Sequence, residues 1–400
     1  MIINEIKKHC EIKLENNYYV LGIDEAGYGP DIGPLVVTSS LFKLSKEYDS
    51  QKFWKAFFNI VSKKITAFPE KVVVSDSKYL FKNYPKNYLI GETTVLCFYS
   101  LLYTRPLNFQ EFLQNILMDD LIGMQKRCKT FSKWTYKMCW GNNNSNNNNQ
   151  DYNFFTKYPL NSKNLDPQPF IRNLFPKLQK VIKNSGIDLI DIKSIVLCPR
   201  LYNESIIKGG KLYLNYLQFD RLIKFALKRI LIENNLARNK EVTKNPKREN
   251  SKSELKSNSL NIFADKLGST KYYLNYLNSG FFKNFKIKIL KQSKIISSYE
   301  PLNLNNELYN LKLKISFAKE GDKIHFPIAL SSIFGKYIRE RLIKNINKFF
   351  ISKIINLKPT KGYAYKLKEF IEATDKVRKK YNIETECFLR KRENLLNLFN

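Results

Sequence analysis

The stretch from Tyr18 to Thr38 constrains the fold of this chain most, because an apolar run there meets two acids and a glycine-rich turn. The run from Tyr19 to Ile23 is apolar and β-branched, which predicts a buried strand. Asp24 and Glu25 follow it, and residues 35–41 predict a second strand after the turn. Successive strand residues point to opposite faces. The two acids can therefore share one face only if the strand ends between them.

Two carboxylates at the end of a buried strand are costly to bury unless a positive charge meets them. A divalent cation such as Mg²⁺ is a natural candidate, since hard cations take oxygen ligands. The glycines at Gly27, Gly29 and Gly33 would let the backbone approach a ligand closely. The alternative is a solvated turn with two ordinary acids, because Asp and Gly are common in turns.

The composition points to a polyanionic partner and to carboxylate chemistry. The 400 residues carry a net charge of +32, from 68 Lys and Arg against 36 Asp and Glu. Such a charge favours nucleic acid as the partner, although AT-biased coding also enriches lysine. The six cysteines lack metal-ligand spacing and read as reduced thiols. With two histidines, a zinc site or a Ser-His-Asp triad is not expected.

The chain shows no apolar run of the roughly 20 residues that a membrane span requires. Residues 1–17 are polar and have no hydrophobic signal region. We therefore expect a cytoplasmic protein with no membrane contact, and we expect a monomer.

The first motif resembles the signature of type 2 ribonucleases H, the ribonucleases HII and HIII. The chain reads Gly22-Ile-Asp-Glu-Ala-Gly-Tyr-Gly-Pro, and the family typically reads Gly-Ile-Asp-Glu-Ala-Gly-Arg-Gly-Pro. Tyr28 stands where the family has arginine, which offers a fixed fork for phosphate. The departure indicates a divergent branch with an altered choice of substrate.

Further segments resemble the same family. Asp76-Ser-Lys-Tyr-Leu is similar to the family's Asp-Ser-Lys-Lys-Leu, and residues 261–265 form a predicted strand that ends in an acid, Asp265. The segment 319–340 is similar to the family's Lys-Gly-Asp segment and the helix Ala-Ala-Ser-Ile-x-Ala-Lys-x-x-Arg-Asp that comes after it. Lys361-Gly-Tyr-Ala is similar to Lys-Gly-Tyr-Gly, although the family's later histidine has no equivalent here.

The resemblance implies an α/β fold, with a ribonuclease-H-like mixed sheet flanked by helices, disordered inserts and a C-terminal helical extension. It implies that four acids are catalytic and hold Mg²⁺ or Mn²⁺ in a two-metal site: Asp24, Glu25, Asp265 and Asp322. It implies substrate binding by a second set: Gly27, Tyr28, Gly29, Lys78, Lys336, Arg339 and Tyr363. In the family, the glycine-turn backbone and the tyrosine that matches Tyr363 read the 2′-hydroxyl of RNA.

Several of these residues have an ordinary structural interpretation as well. Asp76 is favoured as a helix N-cap, and Lys78 as a phosphate contact or a solvated lysine. Glu320 competes with Asp322 as the fourth acid, and spacing favours Asp322. His325 is a polar neighbour of the site, or else an ordinary surface or packed histidine. The basic tail around residues 389–392 could track phosphates, but a solvated role is the stronger expectation.

We predict an N-terminal extension over residues 1–17, a catalytic domain over 18–345 and a C-terminal helical segment over 346–400. Flexible inserts are expected at about 137–167, which includes the Asn-rich tract 141–150, and at 239–258. The predicted helices are Lys46–Ile65, Asn108–Arg127, Phe170–Ser185, Leu212–Leu236 and Ala364–Lys380. The further predicted strands are Lys71–Val74, Ser194–Cys198, Asn261–Asp265 and Lys312–Phe317.

The functional hypothesis is a metal-dependent endonuclease that hydrolyses the RNA strand of RNA–DNA hybrids or cuts at ribonucleotides embedded in duplex DNA. One alternative is another nuclease of the ribonuclease H fold, such as a junction resolvase. The other is a non-catalytic nucleic-acid-binding protein on the same scaffold.

Overall fold

The structure is a computed structural model that describes residues 17–65, 70–82, 86–106, 108–120, 124, 133–141, 168–244, 258–302, 311–363 and 367–391. The N-terminal extension expected over residues 1–17 lies outside this set except for Asn17. The Asn-rich tract after Gly141 and most of both expected inserts also lie outside the described residues.

A mixed sheet of seven strands forms the centre of the molecule, in the order β5-β2-β1-β6-β9-β8-β7. Its strands are β1 (Tyr18–Ala26), β2 (Leu35–Leu44), β5 (Ile187–Leu197), β6 (Asn258–Asp265), β7 (Lys286–Gln292), β8 (Ile296–Leu302) and β9 (Leu311–Ala318). The neighbours β1, β6 and β9 are parallel, whereas β2 and β5 on one side and β8 and β7 on the other are antiparallel. A small second sheet pairs β3 (Val61–Ser62) with β4 (Val72–Val73). The expected mixed sheet flanked by helices is confirmed.

The helices of the described residues pack on both faces of this sheet, and the last of them form a third core. They are α1 (Ser50–Ala56), α2 (Ser77–Leu80), α3 (Lys86–Tyr99), α4 (Phe109–Ile116), α5 (Lys133–Trp140), α6 (Gln168–Ser185), α7 (Pro199–Ile206), α8 (Gly210–Lys244), α9 (Leu274–Leu277), α10 (Gly321–Ile324), α11 (Phe326–Ile351), α12 (Leu367–Lys380) and α13 (Thr385–Phe388). None of them combines the length and the apolar character that a membrane crossing needs.

Successive side chains of β1 point to opposite faces of the sheet and so belong to two different cores. Val20 and Ala26 belong to the core that contains α11, whereas Tyr19, Leu21 and Ile23 belong to the core that contains α8. A strand that is buried on both faces reads as a continuous apolar run, which is how this stretch of sequence appears. The strand that carries the first acids is thus held rigidly at the centre of the fold.

Helix α11 lies close against β1 because small residues face each other there. A Cβ atom added to Gly22 would lie 2.1 Å from the carbonyl carbon of Pro327. The hydroxyl of Ser331 donates to the carbonyl of Gly22 at 3.0 Å. Gly335 packs against Thr38 in the same way.

Some predicted helices are shorter than expected. The helix predicted over 46–65 is limited to α1, and Val61 instead joins the small sheet. The helix predicted over 108–127 ends after Ile116, because Leu117 is extended and forms a bridge with Ser194. Amphipathic spacing therefore did not mark the points at which these helices end, and it counted Phe58, which is exposed, with the apolar face.

Other helices are longer than expected. Helix α8 continues to Lys244, so the start of the insert predicted over 239–258 is helical, and Asn258 already belongs to β6. The insert predicted from Lys137 likewise begins inside α5. Helix α11 continues to Ile351, across the domain boundary predicted at 345, and packs against α5. Its apolar end shares a third core with α12 and α13.

Candidate active site

Two acids lie where the pairing of two adjacent parallel strands ends. β1 and β6 pair in register as far as Ile23 and Ala264, and the next residue on each strand is an acid, Asp24 and Asp265. Neighbouring strands lie about 4.8 Å apart, so these two side chains start from adjacent backbone positions. The in-register pairing thus brings together two acids that are far apart in sequence.

The third acid arrives from the next parallel strand. β6 pairs with β9 as far as Asp265 and Ala318, and the chain then turns into α10, which contains Asp322. The amide of Gly321 donates to Oδ1 of Asp265 at 3.0 Å, which ties this turn to the neighbouring strand. The carboxyl ends of three parallel strands therefore share one edge of the sheet.

Strand β1 continues through both of its acids, which decides where they point. Asp24 and Glu25 pair with Thr38 and Val37 of β2, and the strand ends only at Ala26. The strand therefore does not end between the two acids, because the antiparallel partner β2 holds it extended beyond the end of β6. Asp24 lies on the α11 face and Glu25 on the α8 face, as alternation requires.

The acids on the α11 face repel one another. Burial, together with the nearby charges of Asp265 and Asp322, raises the pKa of Asp24 to about 8. A hydrogen bond from Ser332 and one from the amide of Glu25, 2.8 Å from Oδ1 of Asp24, oppose this rise. Burial, with repulsion from Asp322, raises the pKa of Asp265 to about 6. Like charges buried together in this way favour a cation.

Glu25 is half-buried and faces the same group of charges from the other face of β1. Burial and then the charges of Asp24 and Asp265 raise its pKa well above the ordinary range. Its Oε2 atom is buried and has no hydrogen-bond partner among the described residues. An orphaned carboxylate oxygen is costly, so this atom fits a ligand that supplies positive charge.

The surroundings of Asp322 and Glu320 differ sharply. Burial, and then the charge of Asp76, raises the pKa of Asp322. Glu320 is exposed and forms an ion pair with Lys323 at 2.7 Å, which lowers its pKa. Of these two acids, Asp322 is the one whose charge contributes to the raised pKa values of Asp24 and Asp265. The geometry therefore agrees with the preference that spacing gave to Asp322.

Helix α2 lies at the edge of this group. Oδ1 of Asp76 accepts from the amide of Lys78 at 2.8 Å, so the expected N-cap is present. Lys78 is exposed, and its charge lowers the pKa of both Asp265 and Asp322. The hydroxyl oxygens of Ser332 and Ser77 lie 3.0 Å apart and are hydrogen-bonded, which ties α2 to α11. Lys78 thus places a solvent-facing cation beside the acids.

The glycine turn, residues 27–33, connects β1 to β2 and passes over Arg339. Gly27 has a φ of 90°, and a Cβ there would lie 2.4 Å from Nε of Arg339. Gly29 is exposed, and its nearest neighbour for an added Cβ is the Tyr363 ring at 3.8 Å. Tyr28 is half-buried. The turn thus requires glycine at Gly27, whereas at Gly29 there is room for a side chain or a ligand.

Two cations expected to bind substrate occupy different environments. The side chain of Arg339 is fully buried beneath the glycine turn, where Nη2 donates to the carbonyl of Lys361 at 3.1 Å. Its guanidinium therefore braces the backbone and does not reach solvent. Lys336 is largely buried and pairs with Glu340 at 2.7 Å. A direct contact of either residue with substrate would need these contacts to change.

Tyr363 lies beside the glycine turn and is half exposed. The amide of Asp31 donates to the carbonyl of Gly362 at 2.8 Å, and the Arg339 guanidinium carbon lies 5.8 Å from the Tyr363 ring centre. Residues from the two ends of the chain therefore form one surface, with Gly29 and Tyr363 in reach of the same ligand.

His325 is a packed histidine. Its ring stacks on Phe263 with the centroids 3.9 Å apart, and its Nδ1 lies 3.1 Å from the Tyr48 hydroxyl. Burial lowers its pKa to about 4. Of the two interpretations that the sequence left open, the structure favours packing.

The acids fit a divalent cation by their chemistry, although they are not assembled around one. Among the residues that the structure describes, no three acidic, histidine or cysteine side chains form a group that could hold a metal ion. The opposite faces of Asp24 and Glu25 account for part of this separation. Carboxylate oxygens are nevertheless the donors that Mg²⁺ and Mn²⁺ prefer, and the orphaned oxygen of Glu25 has no competing donor among the described residues.

Sequence reasoning missed three residues near the site. The hydroxyl of Ser332 forms a hydrogen bond with Asp24. The ammonium of Lys211 lies 4.2 Å from the centre of the Tyr28 ring. Arg390 donates to the carbonyls of Gly27 and Gly33 from beneath the turn. The serine was within a quoted motif, whereas no local signal in the sequence connects the other two with the turn.

Neither a protein-family profile nor a curated protein sequence matches this chain. Searches of solved structures give distant similarities to ribonucleases H. The RNase HII in complex with PCNA from Archaeoglobus fulgidus is 12% identical, with 94% of each chain covered and a TM-score of 0.32. The ribonuclease H2 from Pyrococcus horikoshii OT3 is 12% identical over 95% of this chain and 96% of that one, with a TM-score of 0.35.

A third structure, Bst-RNase HIII in complex with Mn²⁺, is 12% identical over 94% of this chain and 67% of that one, with a TM-score of 0.35. Similarity at this level does not assign the chain to a family. A function for this protein therefore has to be inferred from the geometry of its described residues.

Proposed function

We propose that this protein is a metal-dependent endonuclease that hydrolyses the RNA strand of RNA–DNA hybrids or cuts duplex DNA at embedded ribonucleotides. One observation carries the proposal. The ends of three parallel strands bring Asp24, Asp265 and Asp322 into mutual repulsion, with pKa values raised to about 8 for Asp24 and about 6 for Asp265. Perturbed acids of this kind concentrate at functional sites.

Asp24, Asp265 and Asp322 would hold Mg²⁺ or Mn²⁺ from the α11 face, with Glu25 contributing from the other side of β1. When bound, a pair of divalent cations supplies charge neutralisation and Lewis-acid assistance to in-line displacement at phosphorus. Without a cation, the raised pKa values of Asp24 and Glu25 favour the protonated acids at neutral pH. A bound cation would therefore displace protons from these oxygens, since protons and metal compete for them.

Other residues of the chain would bind and orient the substrate. Lys78 is exposed beside the acids and suits a backbone phosphate, whose negative charge would replace solvent at this edge. The exposed part of the glycine turn at Gly29, with the half-exposed ring of Tyr363, suits the sugar that carries the 2′-hydroxyl. Arg339 would act by holding the turn from below, because its side chain is fully buried.

A cleavage assay with matched duplexes tests this proposal. One labelled duplex carries an all-RNA strand, a second carries one ribonucleotide, and a third is all DNA. We expect cleavage of the first two in Mg²⁺ or Mn²⁺, none of the all-DNA duplex, and none after chelation. Asp24→Asn should abolish the activity, whereas Asp375→Asn, on the surface of α12, should keep it.

A non-catalytic nucleic-acid-binding protein on this scaffold is the second candidate. The observation that favours it is the absence, within the described residues, of a ready-made group of three metal ligands. This alternative predicts binding of hybrid duplexes whose affinity is unchanged by Asp24→Asn. Binding of all duplexes with no metal-dependent cleavage would therefore replace the nuclease proposal with this one.

A further inference from the structure

The carbonyl groups of the glycine turn converge on one residue near the C-terminal end of the described chain. Nε of Arg390 donates to the carbonyl of Gly33 at 2.7 Å, and its Nη1 donates to the carbonyl of Gly27. Its backbone amide donates to the carbonyl of Asp31 at 2.8 Å. One residue thus binds the beginning, middle and end of the turn, although more than 350 positions separate it from them.

Arg390 and its chain neighbours are held in place by several contacts besides those with the turn carbonyls. Its residue is 5% exposed, and its guanidinium lies 4.9 Å from the centre of the Tyr202 ring. Leu389 forms an antiparallel bridge with Ile32. The side chain of Asn203 donates to the carbonyl of Leu389 at 2.8 Å and accepts from the amide of Lys391 at 2.7 Å. The segment 389–391 is therefore held firmly against the glycine turn.

Burying this guanidinium is costly, which argues that the contacts with the turn matter. Burial, and then the nearby charge of Arg339, lowers the pKa of Arg390 to about 9. A buried cation is tolerated only where good hydrogen bonds replace water. The carbonyls of Gly27 and Gly33 supply those bonds to Nη1 and Nε, so the arginine and the turn stabilise each other. The Nη2 atom is buried and has no hydrogen-bond partner among the described residues.

The contact with Gly27 fixes the direction of an amide that faces the opposite way. In a trans peptide the carbonyl of one residue and the amide of the next point in opposite directions. Holding the carbonyl of Gly27 toward Arg390 therefore directs the amide of Tyr28 away from it. Gly27, at a φ of 90°, has no side chain that would restrict this peptide by itself.

We propose that Arg390 is a positioning residue that sets the orientation of the Gly27–Tyr28 peptide and thereby the selectivity of the site for a 2′-hydroxyl. The selectivity part rests on the proposed function, because the turn would face the ribose of the substrate. The positioning part is independent of the proposed function, since it concerns only the backbone of the turn.

Hydrogen exchange with mass spectrometry tests the positioning part without any substrate. Arg390→Gln should increase the exchange of peptides that cover residues 26–34 by about tenfold or more, which corresponds to the loss of roughly 1.5–3 kcal/mol from hydrogen bonds to a charged group. Arg378→Gln is the matched control, because Arg378 is also buried and its guanidinium also lies 4.9 Å from an aromatic ring, that of Phe388. Arg378 does not bond to the turn.

The control variant should leave exchange of the turn at the wild-type level. Wild-type exchange in Arg390→Gln, or equal increases in both variants, would overturn the positioning role. If Arg390→Gln fails to fold, as judged by circular dichroism, the same experiment is done with Arg390→Lys. Lysine keeps the charge but lacks the guanidinium group that bonds to both Gly27 and Gly33. This variant should show increased exchange of the turn.

Kinetics and binding test the selectivity part. Arg390→Lys should lower kcat on a duplex with one ribonucleotide by roughly 10–100-fold, as small misplacements of a binding group do. Its preference for that duplex over the all-DNA duplex, measured by fluorescence anisotropy in Ca²⁺, should fall toward one. Arg378→Gln should keep both values.

The two failures are distinguishable. Increased exchange of the turn with an unchanged preference for the ribonucleotide would overturn the selectivity part alone. An absence of cleavage by the wild-type protein would overturn the proposed function, while the exchange experiment would still decide whether Arg390 positions the turn.

Discussion

The ammonium group of Lys211 lies 4.2 Å from the centre of the Tyr28 ring, in the glycine turn. Lys211 is the second residue of α8, and Gly210 before it has a φ of 77°. A cation over an aromatic face is attracted by the ring. The glycine turn is therefore accompanied by a positive charge that comes from another element, the start of α8.

This arrangement predicts that Lys211 contributes to substrate binding. Lys211→Gln should weaken binding of a hybrid duplex and lower the slope of log affinity against log salt by about 0.9, as expected for one lost phosphate contact. Fluorescence anisotropy at several salt concentrations measures both quantities. Lys180→Gln, on the exposed side of α6, is the control and should change neither. Equal effects of the two substitutions would mean that Lys211 acts only through net charge.

The strands and acids of the site were predictable because their signals are local. The run from Tyr19 to Ile23 predicted β1, and the run before Asp265 predicted β6, since buried strands read as apolar runs. Parallel pairing then brings Asp24 and Asp265 together without further information. The extension of β1 through Glu25 was not predictable, because it depends on the partner strand β2, which holds the backbone extended past the acids.

The role of the basic tail could not be predicted, because it depends on contacts across the whole chain. Arg390 reads as a solvated charge in sequence, yet it is buried under carbonyls of the glycine turn. The end of α4 has a similar cause, since Leu117 leaves the helix to form a bridge with Ser194. In both cases a distant backbone group, which no periodic pattern reveals, decides the local structure.

The glycines of the turn should differ in their tolerance of a side chain. Gly27→Ala should destabilise the protein by about 1–2 kcal/mol for the left-handed backbone and by a further ~1–3 kcal/mol for overpacking against Arg339. Gly29→Ala should change the free energy of unfolding by less than about 0.5 kcal/mol, because its Cβ meets nothing closer than 3.8 Å. Urea unfolding measures both values. Similar losses at the two positions would contradict the described turn.

His325 should make the stability depend on pH. Its pKa is lowered to about 4 in the folded protein from 6.5, because burial disfavours the charged ring. Between those values the unfolded chain binds a proton that the folded protein does not, so the contribution of His325 to stability falls by about 1.4 kcal/mol per pH unit as pH falls. It is fully present above pH 6.5.

The variant His325→Phe keeps a ring that can stack on Phe263 but does not titrate. The difference in free energy of unfolding between wild type and variant, from urea titrations at about pH 4.5 to 7.5, should therefore change with pH in this range. A constant difference would show that the ring is not protected from protonation.

Asp24 should have the opposite effect on stability, because its pKa is raised. Burial and its acidic neighbours raise the pKa from 3.8 to about 8 in the folded protein. As pH rises between these values, the unfolded chain loses a proton that the folded protein keeps. Stability without metal should therefore decline as pH rises toward 8. Removing the charge removes this penalty.

Asp24→Asn should accordingly be more stable than wild type at about pH 8 in the presence of EDTA, and the gain should shrink as pH falls to about 4. Asp375→Asn is the matched control of opposite sign, since a hydrogen bond from Lys379 lowers the pKa of Asp375 and its loss can only reduce stability at high pH. Urea unfolding at both pH values measures the two differences. A destabilised Asp24→Asn at the higher pH would mean that Asp24 is held by favourable contacts within the protein. In that case the carboxylate of Asp24 would be stabilised without a cation, contrary to its raised pKa.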